Sequence, residues 1–114
     1  MNSEAFVEAI QKFVRDSAVE STVSLHQAPP GRRPAADLVA RSNWFNALSA
    51  DDVARVEEMM AQAAHAAVFG FLAVLDGVRT IDTENGRFEL FYVGDERSLL
   101  NPPDRDLHDL LDRP

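Results

Sequence analysis

The chain has 114 residues, 46% of them hydrophobic and 26% charged, with a formal net charge of −8 and no cysteine. That is material for one domain with its own core, and residues 1–114 read as a single domain with no disordered or low-complexity tract. The missing cysteines exclude a disulfide scaffold, thiolate zinc sites, iron–sulfur ligation and a cysteine nucleophile. The acidity disfavours nucleic acid and anionic membranes and suits a basic partner.

Ser3 to Leu25 is predicted to be helical. Phe6, Ile10, Phe13 and Ser17 form one stripe with Val7 and Val14 beside it, while Glu4, Glu8, Lys12, Arg15 and Asp16 lie mostly on the other side. Asn2 or Ser3 can cap the start. The opening MNSEAFVEAIQKF lacks the basic and unbroken apolar parts of a signal peptide, and the expected location is cytoplasmic. His26 to Pro34, with Pro29, Pro30, Gly31 and Pro34, is a loop. A short helix from about Ala35 to Leu48 follows, its apolar set being Leu38, Val39, Trp44, Phe45 and Leu48.

The strongest local signal is a long helix from Ser49 to Asp76. Ser49 is the N-cap, Asp51 and Asp52 face the positive end of the dipole, and Gly77 is a left-handed C-cap. Its first half is amphipathic. Its second half, AAHAAVFGFLAVL, is apolar nearly all round and is expected to be buried on most sides. Ala61 to Leu75, interrupted by Gln62 and His65, reads as too short and too polar to span a bilayer. At about 40 Å the helix spans a domain whose expected radius of gyration is about 13 Å. It must protrude, bend near Gly70 or pack against a second copy.

Beyond Gly77 the period becomes two. Val78–Thr83 and Arg87–Val93 are strand-like, and Asn85-Gly86 signals a hairpin with Ile81, Phe88, Leu90 and Tyr92 on one face. That register sets Asp82 against Glu89, a like-charge pair; a three-residue loop with a bulge is the alternative. Gly94-Asp95-Glu96 is a second turn and Arg97–Leu100 a short third strand. After Asn101-Pro102-Pro103, Asp104 or Asp106 can cap a last helix whose Leu107, Leu110 and Leu111 need a groove. The expected fold is α+β, with three to four helices packed on one face of a small antiparallel β-hairpin or three-stranded sheet.

Chemistry-bearing residues are sparse. Asp104, Asp106, His108, Asp109 and Asp112 resemble no calcium loop or zinc motif and read as an acidic helix start. His65 reads as a core histidine. Gly31-Arg32-Arg33-Pro34 is the one concentrated positive patch, so Arg32 and Arg33 form a candidate anion-binding loop, against the plainer reading of a solvated loop. Trp44-Phe45 reads as a lid on the core rather than an exposed anchor. No catalytic, cofactor or metal site is assigned.

The stretch running from the S-x-D-D-capped helix through VLDGVRTID, NGRFELFYV, SLLNPP and DLHDLL resembles small bacterial α+β proteins of uncharacterised function. The resemblance implies a bacterial source and a compact α+β fold, and carries over no active-site residue. The leading functional expectation is a non-enzymatic interaction protein, for instance an immunity-type inhibitor of a basic toxin. It would present Asp51, Asp52, Glu57, Glu58, Asp95 and Glu96 to a protein partner. A small-molecule-binding or enzymatic domain using Arg32, Arg33, His65 or His108, and a structural homodimer through helix 49–76, are the alternatives. No nucleic-acid or membrane partner is expected.

Overall fold

The structure, a computed structural model, describes residues 1–114. Three helical rods and one two-stranded antiparallel sheet make an α+β fold. The first rod joins α1 (Ser3–Ile10), a π-helical segment (Gln11–Asp16) and α2 (Ser17–Gln27). It is followed by α3 (Ala36–Asn46), α4 (Ala50–Leu75), β1 (Phe91–Val93), β2 (Arg97–Leu99) and a 3₁₀ turn at His108–Leu110. The sheet has no third strand, and the predicted last helix is only this turn.

The long helix forms as its caps dictate. The Ser49 hydroxyl accepts from the Asp52 N–H at 3.1 Å, and Gly77 takes φ +77°. At the other helix start Asn2 accepts from Ala5 N–H at 2.8 Å, which leaves Ser3 free to donate to the Leu100 carbonyl at 2.6 Å.

The first rod departs from the predicted stripe. Phe13 is 68% exposed, whereas Arg15, expected outside, is 4% exposed. The cause is the π-helical segment, which widens the turn there and resets which residues face inward. Arg15 then reaches Asp16 at 2.8 Å, His65 Nδ1 at 3.2 Å and the Asp112 carbonyl. Val7 packs on Leu72 and Arg15 on His65, so the first rod and α4 run antiparallel. Leu107 and Leu111 fill the groove between them, completing a core with Val7 and Leu72 that Phe6, Val68, Leu75 and Leu110 cover.

The Asn85-Gly86 hairpin is not formed. The Val78 and Arg79 N–H groups are spent on the Ala73 carbonyl at the end of α4, at 3.0 and 3.1 Å, so no strand starts there. Residues 90–93 pair instead with 97–100 across the Gly94-Asp95-Glu96 turn, in the register Phe91–Leu99, Tyr92–Ser98 and Val93–Arg97. The Leu100 N–H donates to the Leu90 carbonyl at 2.8 Å. Asn101 then takes over where the ladder stops. Its amide donates to the carbonyls of Leu75 (2.8 Å) and Phe88 (2.9 Å), and its oxygen accepts from Leu90 N–H (2.8 Å). One buried side chain thus caps a helix end and closes a sheet edge.

The second half of α4 is not buried on most sides. Only Gly70, Leu72 and Ala73 are buried along the helix. The chain as a whole is extended, with a radius of gyration of 18.1 Å and extents of 49 × 30 × 26 Å.

Candidate interaction face and its polar neighbours

Around α4, at about 100° per residue, the inner face carries Ala61, His65, Val68, Leu72 and Leu75. The opposite face carries Val56, Met59, Met60, Ala63, Ala66, Ala67, Phe71 and Val74. No charged residue of α4 interrupts that outer arc from Val53 to Leu75; Arg55 flanks it, the Arg79 side chain covers Gly70 within it, and Val56, Met60 and Val74 are half-buried. Met59 is 71% and Phe71 64% exposed. An apolar residue standing alone on a surface is ordinary, but a contiguous face of this length marks a surface that something covers. By length and composition alone α4, taken over Ala50–Leu75, is also long and apolar enough to cross a membrane, a test that the core helix of a soluble protein passes as well. Its inner face, however, is the floor of the core.

The acidic residues expected to meet a partner divide into two groups. Asp51 and Asp52 lie in the first turn of α4, and Glu57 and Glu58 line an open groove of about 860 Å³ with Val19, His65 and Arg113. Asp95 and Glu96 occupy the β-turn beside Met1, at the other end of the antiparallel pair. Arg32 and Arg33 are exposed in the loop after α2, where Gly31 takes φ +87°, and neither forms an ion pair or side-chain hydrogen bond. Trp44-Phe45 splits: Phe45 is buried against an edge of His26, while Trp44 is 58% exposed.

The histidines are brought into use as fasteners. Arg41 donates to His26 Nε2 at 3.2 Å, so the Nδ1 proton goes to the Thr22 carbonyl at 2.8 Å and sets the tautomer. His65 and His108, distant in sequence, sit on two sides of Phe69, with ring centroids 6.1 and 5.2 Å away. His108 Nδ1 and its backbone N–H both meet Asp76 Oδ2, at 2.7 and 2.9 Å. This replaces the expected cap by Asp104 or Asp106, because Asp76 at the end of α4 supplies the oxygen.

Asp76, Asp106 and His108 bring three donor atoms within 4.8 Å of one another, and Asp76 Oδ1 is buried without a partner. Beside them Arg87, Asn101 and Arg105 help line a hollow of about 190 Å³. Sequence reading weighs Asp106 and His108 in the acidic C-terminal run but not Asp76, which comes from the end of α4 some thirty residues earlier. Neither a protein-family model, nor a curated protein, nor a solved structure matches this chain.

Proposed function

We propose that this chain is a non-enzymatic, acidic protein-interaction domain whose binding surface is the outer face of α4. One observation carries the reading: between Val53 and Leu75 the outer face of α4 bears no charged residue of its own, and its large side chains Met59 and Phe71 stand in solvent, with Gly70 buried under Arg79. Removing apolar surface from water is worth about 25 cal/mol per Å², and a protein surface recovers that where the chain itself does not. Asp51 and Asp52 stand at the head of the face and favour a partner with a basic rim, while Glu57 and Glu58 lie towards the inner groove, Glu58 paired with Arg55. An inhibitor or immunity-type protein that caps a basic toxin is the concrete version.

The polar clusters support a scaffolding role. His26, His65 and His108 are each engaged by a neighbouring side chain or carbonyl. Of the residues named for a small-molecule site, His65 lines the open groove of about 860 Å³, whereas the hollow at Asp76, Arg87 and Arg105 is about 190 Å³, below the roughly 300 Å³ at which ligand pockets begin.

The test is capture by the tagged chain at low salt from its source cell. The expected result is a defined protein, retained by the wild type and lost with Met59→Glu, whose retention weakens as salt screens the acidic residues. A chain that retains nothing and is also monomeric rejects the reading.

A further inference from the structure

We propose that the occupant of the outer face of α4 is a second copy of this chain, laid antiparallel along it. The proposal rests on the interaction reading above and names its partner.

Surface area is the first support. A compact folded chain of 12.6 kDa exposes about 6,200 Å², whereas this one exposes 8246 Å². The excess is about 2,000 Å² per chain by the same relation. A standard interface takes about 800 Å² from each partner, and obligate homodimers take roughly 1,000–2,500 Å². The excess, summed over the whole extended chain, leaves room for one side of such an interface. The radius of gyration agrees: 18.1 Å, against about 13 Å for a compact chain of this length.

The face itself is the second support. Val56, Met59, Met60, Ala63, Ala67 and Phe71 present large apolar groups around small ones, so two such faces interdigitate. The charge laid over the face is that of Arg79, across Gly70, and Asp52 at its head is the complement, so an identical chain supplies both signs.

Its two ends set the direction. Asp52 heads the face, while the Arg79 side chain lies across Gly70 near its far end. Antiparallel pairing brings each Asp52 towards the other copy's Arg79 and opposes the helix dipoles favourably. Parallel pairing stacks Asp52 on Asp52. The midpoint between the levels of Asp52 and Gly70 falls within one turn of Ala63, whose small side chain allows close approach. A lipid surface is the less favoured occupant: helices that lie on membranes carry Lys and Arg along the polar edge, whereas here Arg55 is outnumbered by Asp51, Glu57 and Glu58.

Sedimentation of the wild-type chain tests the proposal, with the result expected to be twice 12.6 kDa. Met59→Glu and Ala63→Glu should each return the monomer mass with the helical circular dichroism retained. Because the chain has no cysteine, single spin labels then read the direction. Labels at Ala63→Cys should lie within about 15 Å of each other, and labels at Asp52→Cys roughly 30 Å apart, from the helical rise. A dimer that survives Met59→Glu and Ala63→Glu, or equal short distances at both labels, overturns the arrangement. A monomer at every accessible concentration overturns the second copy. If that monomer captures a different protein through the same face, the interaction reading stands without it. If it binds neutral lipid vesicles, the occupant is a membrane, and if it binds neither, both readings fall.

Discussion

Replacing Asn101 with alanine is expected to cost far more than an asparagine outside any helix or strand would suggest. The side chain is buried and makes three hydrogen bonds of 2.8–2.9 Å, to Leu75, Phe88 and Leu90. Alanine leaves two carbonyls and one N–H in a partly buried place that water reaches poorly. At about 1 kcal/mol for each bond the loss is about 3 kcal/mol. With a urea m-value of about 2 kcal/mol per M, the midpoint falls by about 1.5 M. Urea unfolding followed by far-ultraviolet circular dichroism, at fixed protein concentration, measures it. Asn101→Asp is the control: it keeps the acceptor for Leu90 N–H but turns an oxygen towards two carbonyls, so it should be at least as destabilising. An alanine variant within about 0.5 kcal/mol of the wild type, the range of an ordinary surface site, would refute the claim that this residue joins α4 to the sheet.

Gly77→Ala should lose about 1 kcal/mol in the same assay, because an open but left-handed position penalises only the backbone. A neutral result would mean that the chain leaves α4 by another conformation. Asp76→Ala should lose about 2–4 kcal/mol, since Oδ2 holds both the backbone and the ring of His108. Asp76→Asn, which retains an acceptor, should lose less, and equal losses would show that the His108 contacts do not anchor the last turn.

The elements that the sequence made legible are those governed by neighbours along the chain. Ser49, Asp52 and Gly77 act within a few residues of themselves, and they bound α4 where the residue types require. The docking of Leu107 and Leu111 follows from spacing and apolarity alone. What the pattern missed depends on distant groups. Arg15 is drawn inward by His65 and by the Asp112 carbonyl, so its charge misplaces it in any local reading. Asn85-Gly86 is a good hairpin signal, but the preceding strand competes with Ala73 for its first two N–H groups and loses. The site around Phe69 needs His65 and His108 from elements that sequence distance keeps apart. The apolar second half of α4 misleads a local reading because composition alone does not tell which of its sides the chain's own fold covers.

That ambiguity links association to stability. The contiguous core is four buried apolar residues at one end of the molecule, Val7, Leu72, Leu107 and Leu111. At the other end α2 and α3 are held largely by polar ties: Ser42 to the His26 carbonyl at 2.6 Å, and Asn46 to the carbonyls of His26 and Gln27, both at 3.2 Å. Such bonds each contribute about 1 kcal/mol net, against an ordering entropy of at least that much per residue. A monomer so built has little surplus, and covering the outer face of α4 with its exposed Met59 and Phe71 is a source of apolar burial still open to it. Folding should therefore be coupled to pairing, with the unfolding midpoint rising with protein concentration. Each tenfold increase adds about 1.4 kcal/mol per dimer through mass action. Met59→Glu should lower the midpoint and also remove its concentration dependence, which a merely destabilising substitution in a dimer would not do. A wild-type midpoint unchanged across a hundredfold range of concentration would show that the fold stands without its partner, and that the small core suffices.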